Sequence, residues 1–569
     1  MNQLIVSNAT IVDGTGSPAR TGTVTIEDGR ITAISDGTVD APDGAEVIDA
    51  TGLVLCPGFI DPHTHYDAQL AWDPTASPSN IHGVTTIIAG NCGFSLAPLA
   101  PGDGDYLRRM MAKVEGMPLA ALEQGVDWSW DTFGDYLGVF TGQLGVNAAF
   151  MVGHCALRRR VMGTGAVGGE ATPEQVGEMV ALLHQSIEAG GLGFSTTLAR
   201  THSDGDGQPV ASRWAGRDEL LALAAAAGEH PGTQLEFASD GCLDGFSDDE
   251  VQFMIDFAAA ADRPLNWNVL TVDSADPGRF RNQLAAMDRC RDAGVEVVAL
   301  TMPILVGMNM SFGTYCALNM LPDWGAILGL PPVARLACLR DPGVRRYLEE
   351  RAAAPEAGVF ARLTGWDRYV IGDTYADESL RGRNIGELAA ERGVRPFDAL
   401  LDVIVADELR TVLWPGPTDD DDESWRLRAE AWEHPSVMIG GSDAGAHLDR
   451  MCGPPYTTQW IGDCLRGRKL TTLERAVQHL TQRPARLFGL TDRGEVRVGA
   501  RADLVLFDPA TIDSGPIELR NDLPGGTGRL IADSVGVRRV WIDGIATVVD
   551  GVATDNRPGS VLRSGLDTV

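Results

Sequence analysis

Two histidines one residue apart close an apolar stretch near the start of the chain, in Pro57-Gly58-Phe59-Ile60-Asp61-Pro62-His63-Thr64-His65. Side chains alternate along an extended backbone, so His63 and His65 project to the same side. Two imidazoles facing one way at a strand end suit a single divalent cation. A lone histidine more often serves packing, whereas a His-x-His at the close of a strand is far more specific for a metal. Asp67, two residues on, reads either as a carboxylate that orients a ligand from behind or as a turn residue.

Two further strand ends carry chemistry. In Thr85-Thr86-Ile87-Ile88-Ala89-Gly90-Asn91-Cys92-Gly93 a β-branched run ends in a cysteine between glycines. Zinc accepts sulfur as well as nitrogen, so Cys92 is a candidate ligand; the alternative is a small buried thiol. In Met438-Ile439-Gly440-Gly441-Ser442-Asp443-Ala444-Gly445-Ala446-His447 an aspartate closes another strand. Asp443 is placed to ligate the metal and to accept a proton from a water that the cation makes acidic. His447 reads as a contact to substrate or to a tetrahedral intermediate, or as a loop histidine.

Such residues need a scaffold that gathers strand ends from distant parts of the chain. Eight candidate strands fall at about 57–65, 84–92, 147–155, 192–197, 233–239, 264–270, 295–302 and 436–443, with helical patterns between them. Thr172-Pro173-Glu174-Gln175 fits a capping box with proline at the first helical position, followed by Val176, Met179, Leu183 and Ile187 at helical spacing. Ser247 with Glu250 opens another helix in the same way. Eight strands alternating with helices predict a closed parallel (β/α)8 barrel of the TIM type.

Residues 1–56 read as short strands divided by turns, and strands return after a helix at about 471–488. The two ends, 1–56 and 489–569, are expected to form one small β-sandwich beside a barrel over 57–488. The stretch 303–435 between the last two barrel strands is long and, just after Met302, begins apolar, with Met308, Met310, Phe312, Met320, Leu321 and Trp324. It reads equally as a lid over the C-terminal face of the barrel and as the ordinary core of an inserted subdomain.

The 46 basic and 78 acidic residues leave a formal charge of −32, which argues against nucleic acid and anionic membranes as partners. Nine scattered cysteines without a Cys-x-x-Cys pair argue against a disulfide scaffold. The N-terminus lacks the pattern of a secretory signal, and no apolar run is long enough to span a bilayer, so the expected compartment is the cytoplasm.

The order of blocks, PGFIDPHTHYDAQ, GNCGFS, GHCALR, GGSDAGAH and finally RGEVRVGARADLVLFDP, resembles the D-aminoacylase (N-acyl-D-amino acid deacylase) branch of the amidohydrolase superfamily over nearly the whole chain. The HTHYDAQ and GNCGFS blocks are specific to that branch, and the closing block is shared across the superfamily. The resemblance implies a TIM barrel, a zinc site and hydrolysis of an N-acyl amide. It matches His63 and His65 to the family's His-x-His. Cys92 corresponds to the cysteine that replaces the carboxylated lysine of many relatives, and Asp443 to the catalytic aspartate. His154 and Arg158 match a block whose role is either functional or structural.

The chain also departs from that pattern. The family carries metal-binding histidines at the ends of the fifth and sixth strands and a lysine after the sixth that meets the substrate carboxylate. None of the ten histidines here lies in either strand. Glu236 stands in the fifth and Asn268 nearest the spot in the sixth, where it is expected to touch substrate, and the lysine is absent. One zinc ion is therefore expected, held by His63, His65 and Asp443 with Cys92 or Glu236, while a second site is put in doubt. Glu236 reads as a ligand, a proton acceptor, or a partner of the catalytic water. Arg450, after the eighth strand, reads as the partner of a substrate carboxylate or as a solvent-facing residue.

The reading is a metal-dependent hydrolase of a carbon–nitrogen bond in an N-acyl amino acid or similar small amide, with Asp443 and Glu236 in proton transfer. A homo-oligomer is compatible with it. The alternative is a non-catalytic relative, or an isomerase or lyase on the same barrel.

Overall fold

Val84–Ala89 reads Val-Thr-Thr-Ile-Ile-Ala, and all of its residues are buried, as befits a strand covered on both faces. The same holds for the other strands that carry the chemistry. In the computed structural model, which describes residues 3–37, 39–100 and 102–569, these strands are parallel. Met1, Asn2 and Thr38, in the expected terminal segment 1–56, lie outside the described residues, as does Pro101.

The chain divides into two compact units. The larger comprises the chain up to Val272 with Pro277–Ile304 and Arg426–Val569, and the smaller comprises Asp273–Asp276 and Leu305–Trp425.

Among the described residues of the larger unit, eight short strands follow in sequence order and pair in parallel. They are β1 (Phe59–Asp61), β2 (Val84–Ala89), β3 (Asn147–Phe150, resumed at Val152–Gly153), β4 (Gly193–Thr197), β5 (Gln234–Ala238), β6 (Leu265–Trp267), β7 (Val297–Thr301) and β8 (Val437–Ile439). β1, β2 and the first half of β3 form one parallel sheet. The second half of β3, then β4, β5, β6, β7 and β8, form another. An isolated parallel bridge joins Thr64, just past β1, to Ala444, just past β8. Ile60, Ile88, Ala149, Met151, Leu300 and Met438 meet in one apolar cluster drawn from five of these strands.

The intervening helices start where side-chain chemistry allows. Thr172 and Gln175 cap Pro173–Glu188 reciprocally, and Ser247 and Glu250 do the same for Asp248–Ala261. Such a cap satisfies backbone N–H groups that have no partner in the first turn and is worth about 1 kcal/mol.

Among the described residues, segments from the front and the back of the chain join in one nine-stranded sheet. Gln3–Ile11, Arg20–Glu27, Arg30–Ser35, Glu46–Asp49 and Val54–Pro57 come from the front, and Leu504–Phe507, Val537–Ile542, Ile545–Val549 and Val552–Ala553 from the back. The join is antiparallel, Val54–Pro57 against Leu504–Phe507. Leu4, Val6, Val24, Leu55, Leu504 and Trp541 pack beside it.

The smaller unit has its own core, in which Met310, Phe312, Leu321 and Trp324 are buried among Trp366 and Phe397. The apolar residues that begin the insertion are thus largely consumed by packing inside it, although Met320 is exposed. No disulfide joins any of the nine cysteines. Among the described residues no helix is long and apolar enough to cross a membrane.

Candidate metal centre

The backbone past β1 is held from both sides. Thr64 donates through N and Oγ1 to the carbonyl of Ile88 in β2, at 2.9 and 2.8 Å, and His65 N donates to the carbonyl of Ala444 at 2.7 Å. Asp61 accepts from His63 N at 3.5 Å and from Ser442 Oγ at 2.5 Å, which ties the end of the first strand to the end of the last. With Thr64 turned to β2, His63 and His65 point the other way. Both side chains are buried.

There the donors converge. His63 Nε2 lies 3.3 Å and His65 Nε2 3.8 Å from the same oxygen, Asp443 Oδ1. Cys92 Sγ is 3.6 Å from His63 Nε2. The ligating atoms of His63, His65 and Cys92 all fall within 4.8 Å of one another. Zinc–nitrogen bonds of about 2.0–2.1 Å and zinc–sulfur bonds of about 2.3 Å, arranged as a tetrahedron, separate ligand atoms by roughly 3.3–3.6 Å. The donor set fits one such ion in number, type and spacing.

Local backbone conformation aims two of these side chains. Cys92, with φ of 55°, and Asp443, with φ of 53°, are both left-handed, as is His447 at 52°. A non-glycine residue pays about 1–3 kcal/mol for that conformation, and such residues gather where function demands a particular aim. Gly441, φ 87°, makes room beside Asp443: a Cβ there would sit 2.6 Å from Asn268 Oδ1.

Electrostatics point to the same conclusion. Burial, with His202 nearby, pushes the His63 imidazole down to about 3, and burial together with His63, His447 and His202 holds His65 well below its ordinary value. Neutral imidazoles are what a metal requires. Burial raises Cys92 well above the usual thiol range, reinforced by Glu236, Glu115 and Asp443. Burial and then Asp443 raise Glu236 in the same direction. Burial and then Asp61 lift Asp443 to about 7, even though 28 % of its side-chain surface is open; the depth of the surrounding protein outweighs that open fraction. Burial is the first cause of each of these shifts, and the acids and the thiol add mutual repulsion to it.

The remaining expected residues separate into two groups. Glu236 abuts the cluster, its Oε2 accepting from Cys92 N at 2.7 Å while Oε1 has no hydrogen-bond partner. Asn268 Nδ2 donates to Asp443 Oδ1 at 3.1 Å. His447 lies on the turn after β8, with an unpartnered Nδ1. Arg450 is only 7 % exposed, which removes the solvent-facing alternative, and its Nε donates to Asp449 at 3.0 Å. Asp67 accepts from Gly90 N at 3.1 Å and thereby braces the turn that carries Cys92. His154 and Arg158 stand in a separate buried network. His154 bonds Thr196 Oγ1 at 2.9 Å and Glu219 Oε1 at 2.8 Å, and Arg158 bonds both Glu219 oxygens at 2.6 and 2.5 Å.

Two residues that sequence reasoning missed belong here. Glu115, 3 % exposed, places Oε1 3.6 Å from His65 Nδ1. Burial, then Asp443 and Asp67, push its carboxyl well above the ordinary range, while Arg450 pulls it down. Nothing in Lys113-Val114-Glu115-Gly116 signals this. His202, whose Nδ1 is 2.8 Å from Thr197 Oγ1, follows the end of β4, and the tendency of such ends to carry chemistry was the available clue.

Comparison with known proteins places this geometry in context. The amidohydrolase family model matches residues 46–548. The chain is 30% identical to N-acyl-D-aspartate deacylase of Alcaligenes xylosoxydans xylosoxydans over 583 residues, covering 99% of this chain and 95% of that protein. Among solved structures it is similar to D-aminoacylase, whose report concerns a binuclear metal centre, with TM-score 0.64 and 26% identity over 98% of this chain and 99% of that one. It is likewise similar to N-acyl-D-glutamate deacylase from Bordetella bronchiseptica, solved with zinc and a phosphonate mimic of the tetrahedral intermediate, at TM-score 0.63 and 26% identity over 99% of each chain.

Proposed function

Because the chain belongs to the amidohydrolase family, we propose that it is a metal-dependent hydrolase that cleaves the amide bond of N-acyl amino acids. The observation that carries this reading is the convergence of His63 Nε2 and His65 Nε2 on one oxygen of Asp443, with Cys92 Sγ beside them. The named relatives act, by their names, on N-acyl-D-aspartate and N-acyl-D-glutamate, which supports an N-acyl amino acid as the substrate class.

In this reading His63, His65, Cys92 and Asp443 would hold one zinc ion. A bound divalent cation polarises an amide carbonyl and acidifies a water. A single ion is favoured because Glu236, within β5, and Asn268, just past β6, are each already engaged, Glu236 by the Cys92 N–H and Asn268 by Asp443. Asp443 takes the proton from the attacking water and returns it to the leaving nitrogen. Asn268 steadies the carboxylate that does so. Glu236, with Oε1 unpartnered, is a second proton acceptor beside it. His447 and Arg450, on the turn after β8, are assigned to the substrate side together with the open face of Asn268.

The Thr64–Ala444 bridge and the parallel order of β1 to β8 support a closed TIM barrel over 57–488. The shared nine-stranded sheet supports an accessory β domain built from 1–56 and 489–569.

A hydrolysis screen over N-acyl-D- and N-acyl-L-amino acids, cyclic amides and aryl amides tests the function, using zinc-loaded protein and His63→Ala as control. Turnover of an N-acyl amino acid that collapses in the variant is the expected result. Turnover that survives His63→Ala unchanged, or no turnover of any amide, contradicts the proposal.

A further inference from the structure

A metal-bound histidine rarely acts alone, because the nitrogen facing away from the ion needs an acceptor to fix the ring and its tautomer. His63 and His65 both turn Nε2 towards Asp443 and Cys92, so Nδ1 of each faces away. Both Nδ1 atoms are buried without a hydrogen-bond partner. At His65, a carboxylate oxygen, Glu115 Oε1, stands 3.6 Å from that atom.

Glu115 is held there by its backbone. Its N–H donates to the Met111 carbonyl at 3.0 Å and so ends the helix Gly104–Val114. Its own carbonyl accepts from the backbone N–H of His447, on the turn after β8. The next residue, Gly116, is left-handed at φ 57°, and a Cβ there would sit 1.8 Å from Arg450 Nη2, so the chain passes directly against that guanidinium. A segment gripped at three points presents a buried acidic side chain to the outer nitrogen of a ligand. The Glu115 carboxyl is only 3 % exposed, and a carboxyl so buried is costly unless neighbouring groups satisfy it.

Resting on the metal reading above, we propose that Glu115 is a positioning residue: it accepts the Nδ1–H of His65, fixes the tautomer that leaves Nε2 free to bind the ion, and through its backbone carbonyl couples the His-x-His to the turn bearing His447 and Arg450. It touches neither ion nor substrate. Its effect is on how tightly the ion is held.

The test is the zinc affinity of metal-free full-length protein, read by competition with a chromophoric chelator, for wild type, Glu115→Ala, Glu115→Leu and Glu115→Gln. The first two remove the acceptor, and either suffices if the other fails to fold. The glutamine keeps an acceptor oxygen in the same place. Affinity falls about 10–100-fold in the alanine and leucine variants, the usual weight of such a partner, and recovers most of that loss in the glutamine variant. Alanine and leucine variants within twofold of wild type overturn the proposal, as does a glutamine variant no better than they are. A wild-type chain that takes up no zinc overturns the metal reading itself; one that binds zinc indifferently to residue 115 overturns only the role of Glu115.

Discussion

Two buried histidine clusters in this chain look alike in composition and differ in what they leave unsatisfied. Around His154 both ring nitrogens have partners, Thr196 Oγ1 at 2.9 Å and Glu219 Oε1 at 2.8 Å, and Arg158 neutralises the same carboxylate. Around His63 and His65 the outer nitrogens are unpartnered, the inner ones crowd a carboxylate and a thiol, and the acids repel one another. In the first cluster His154 and both Glu219 oxygens are fully partnered, which ties the helix His154–Met162 to β4 and to the helix Arg217–Gly228. The second leaves the outer nitrogens of both histidines without a hydrogen-bond partner. Satisfaction of the histidine nitrogens, rather than residue type or burial, is what distinguishes the two clusters.

That contrast is open to attack from either side. The largest effect is expected at Asp443→Asn, which keeps the shape but removes charge and basicity: kcat should fall by about 10²–10⁴-fold, the range for losing a proton acceptor, while the melting temperature changes little. Steady-state kinetics with calorimetry on the same preparations read both quantities, and a variant with near wild-type kcat breaks the assignment. Next in size, Glu219→Ala strands Arg158 without its partner inside the protein. Breaking a buried pair costs about 3–5 kcal/mol, so denaturant midpoints should drop markedly while bound metal per folded chain is retained. Loss of metal in step with stability would merge the two clusters and undo the comparison.

The smallest effect is a pH dependence. Burial, and then Arg158, hold His154 below its ordinary 6.5, although Glu219 pulls the other way. Burial opposes the charge of Glu219, but His154 and Arg158 outweigh it and keep that carboxyl below its ordinary 4.5. Both groups therefore take up protons more readily in the unfolded chain, so the stability they contribute is present above those values and is lost as pH falls through and below them. Unfolding free energy measured from pH 7.5 to 5 should decline less in His154→Gln than in wild type; identical slopes contradict the claim that His154 is buried neutral.

Much of this was legible beforehand because strand ends are rigid and their side chains alternate. His63, His65, Cys92 and Asp443 each close a β-rich run, and a parallel barrel gathers such ends at one face, so four residues spread over 381 positions could be grouped without coordinates. The regular strands stop earlier than the pattern suggested, β1 at Asp61 rather than 65, since Pro62 has no N–H to donate and the ligand-bearing residues leave the ladder to turn inward. Glu115 was invisible because it sits just past a helix end, where neither period 2 nor period 3.6 applies, and its meaning comes from contacts with residues 50 positions before and 332 after it. Arg450 could not be told from a surface arginine for the same reason. The methionine and tryptophan run after β7 was ambiguous because apolar composition alone does not say whether a surface closes on itself, as Met310, Phe312 and Trp324 do here.

The central claim is tested most directly by counting metal. Elemental analysis of wild type and of His63→Ala, His65→Ala and His154→Ala, each equilibrated with zinc and desalted, should find one ion per chain in wild type and in the His154 variant and far less in the other two. A chain that binds no zinc, or binds it equally without His63 and His65, contradicts the account.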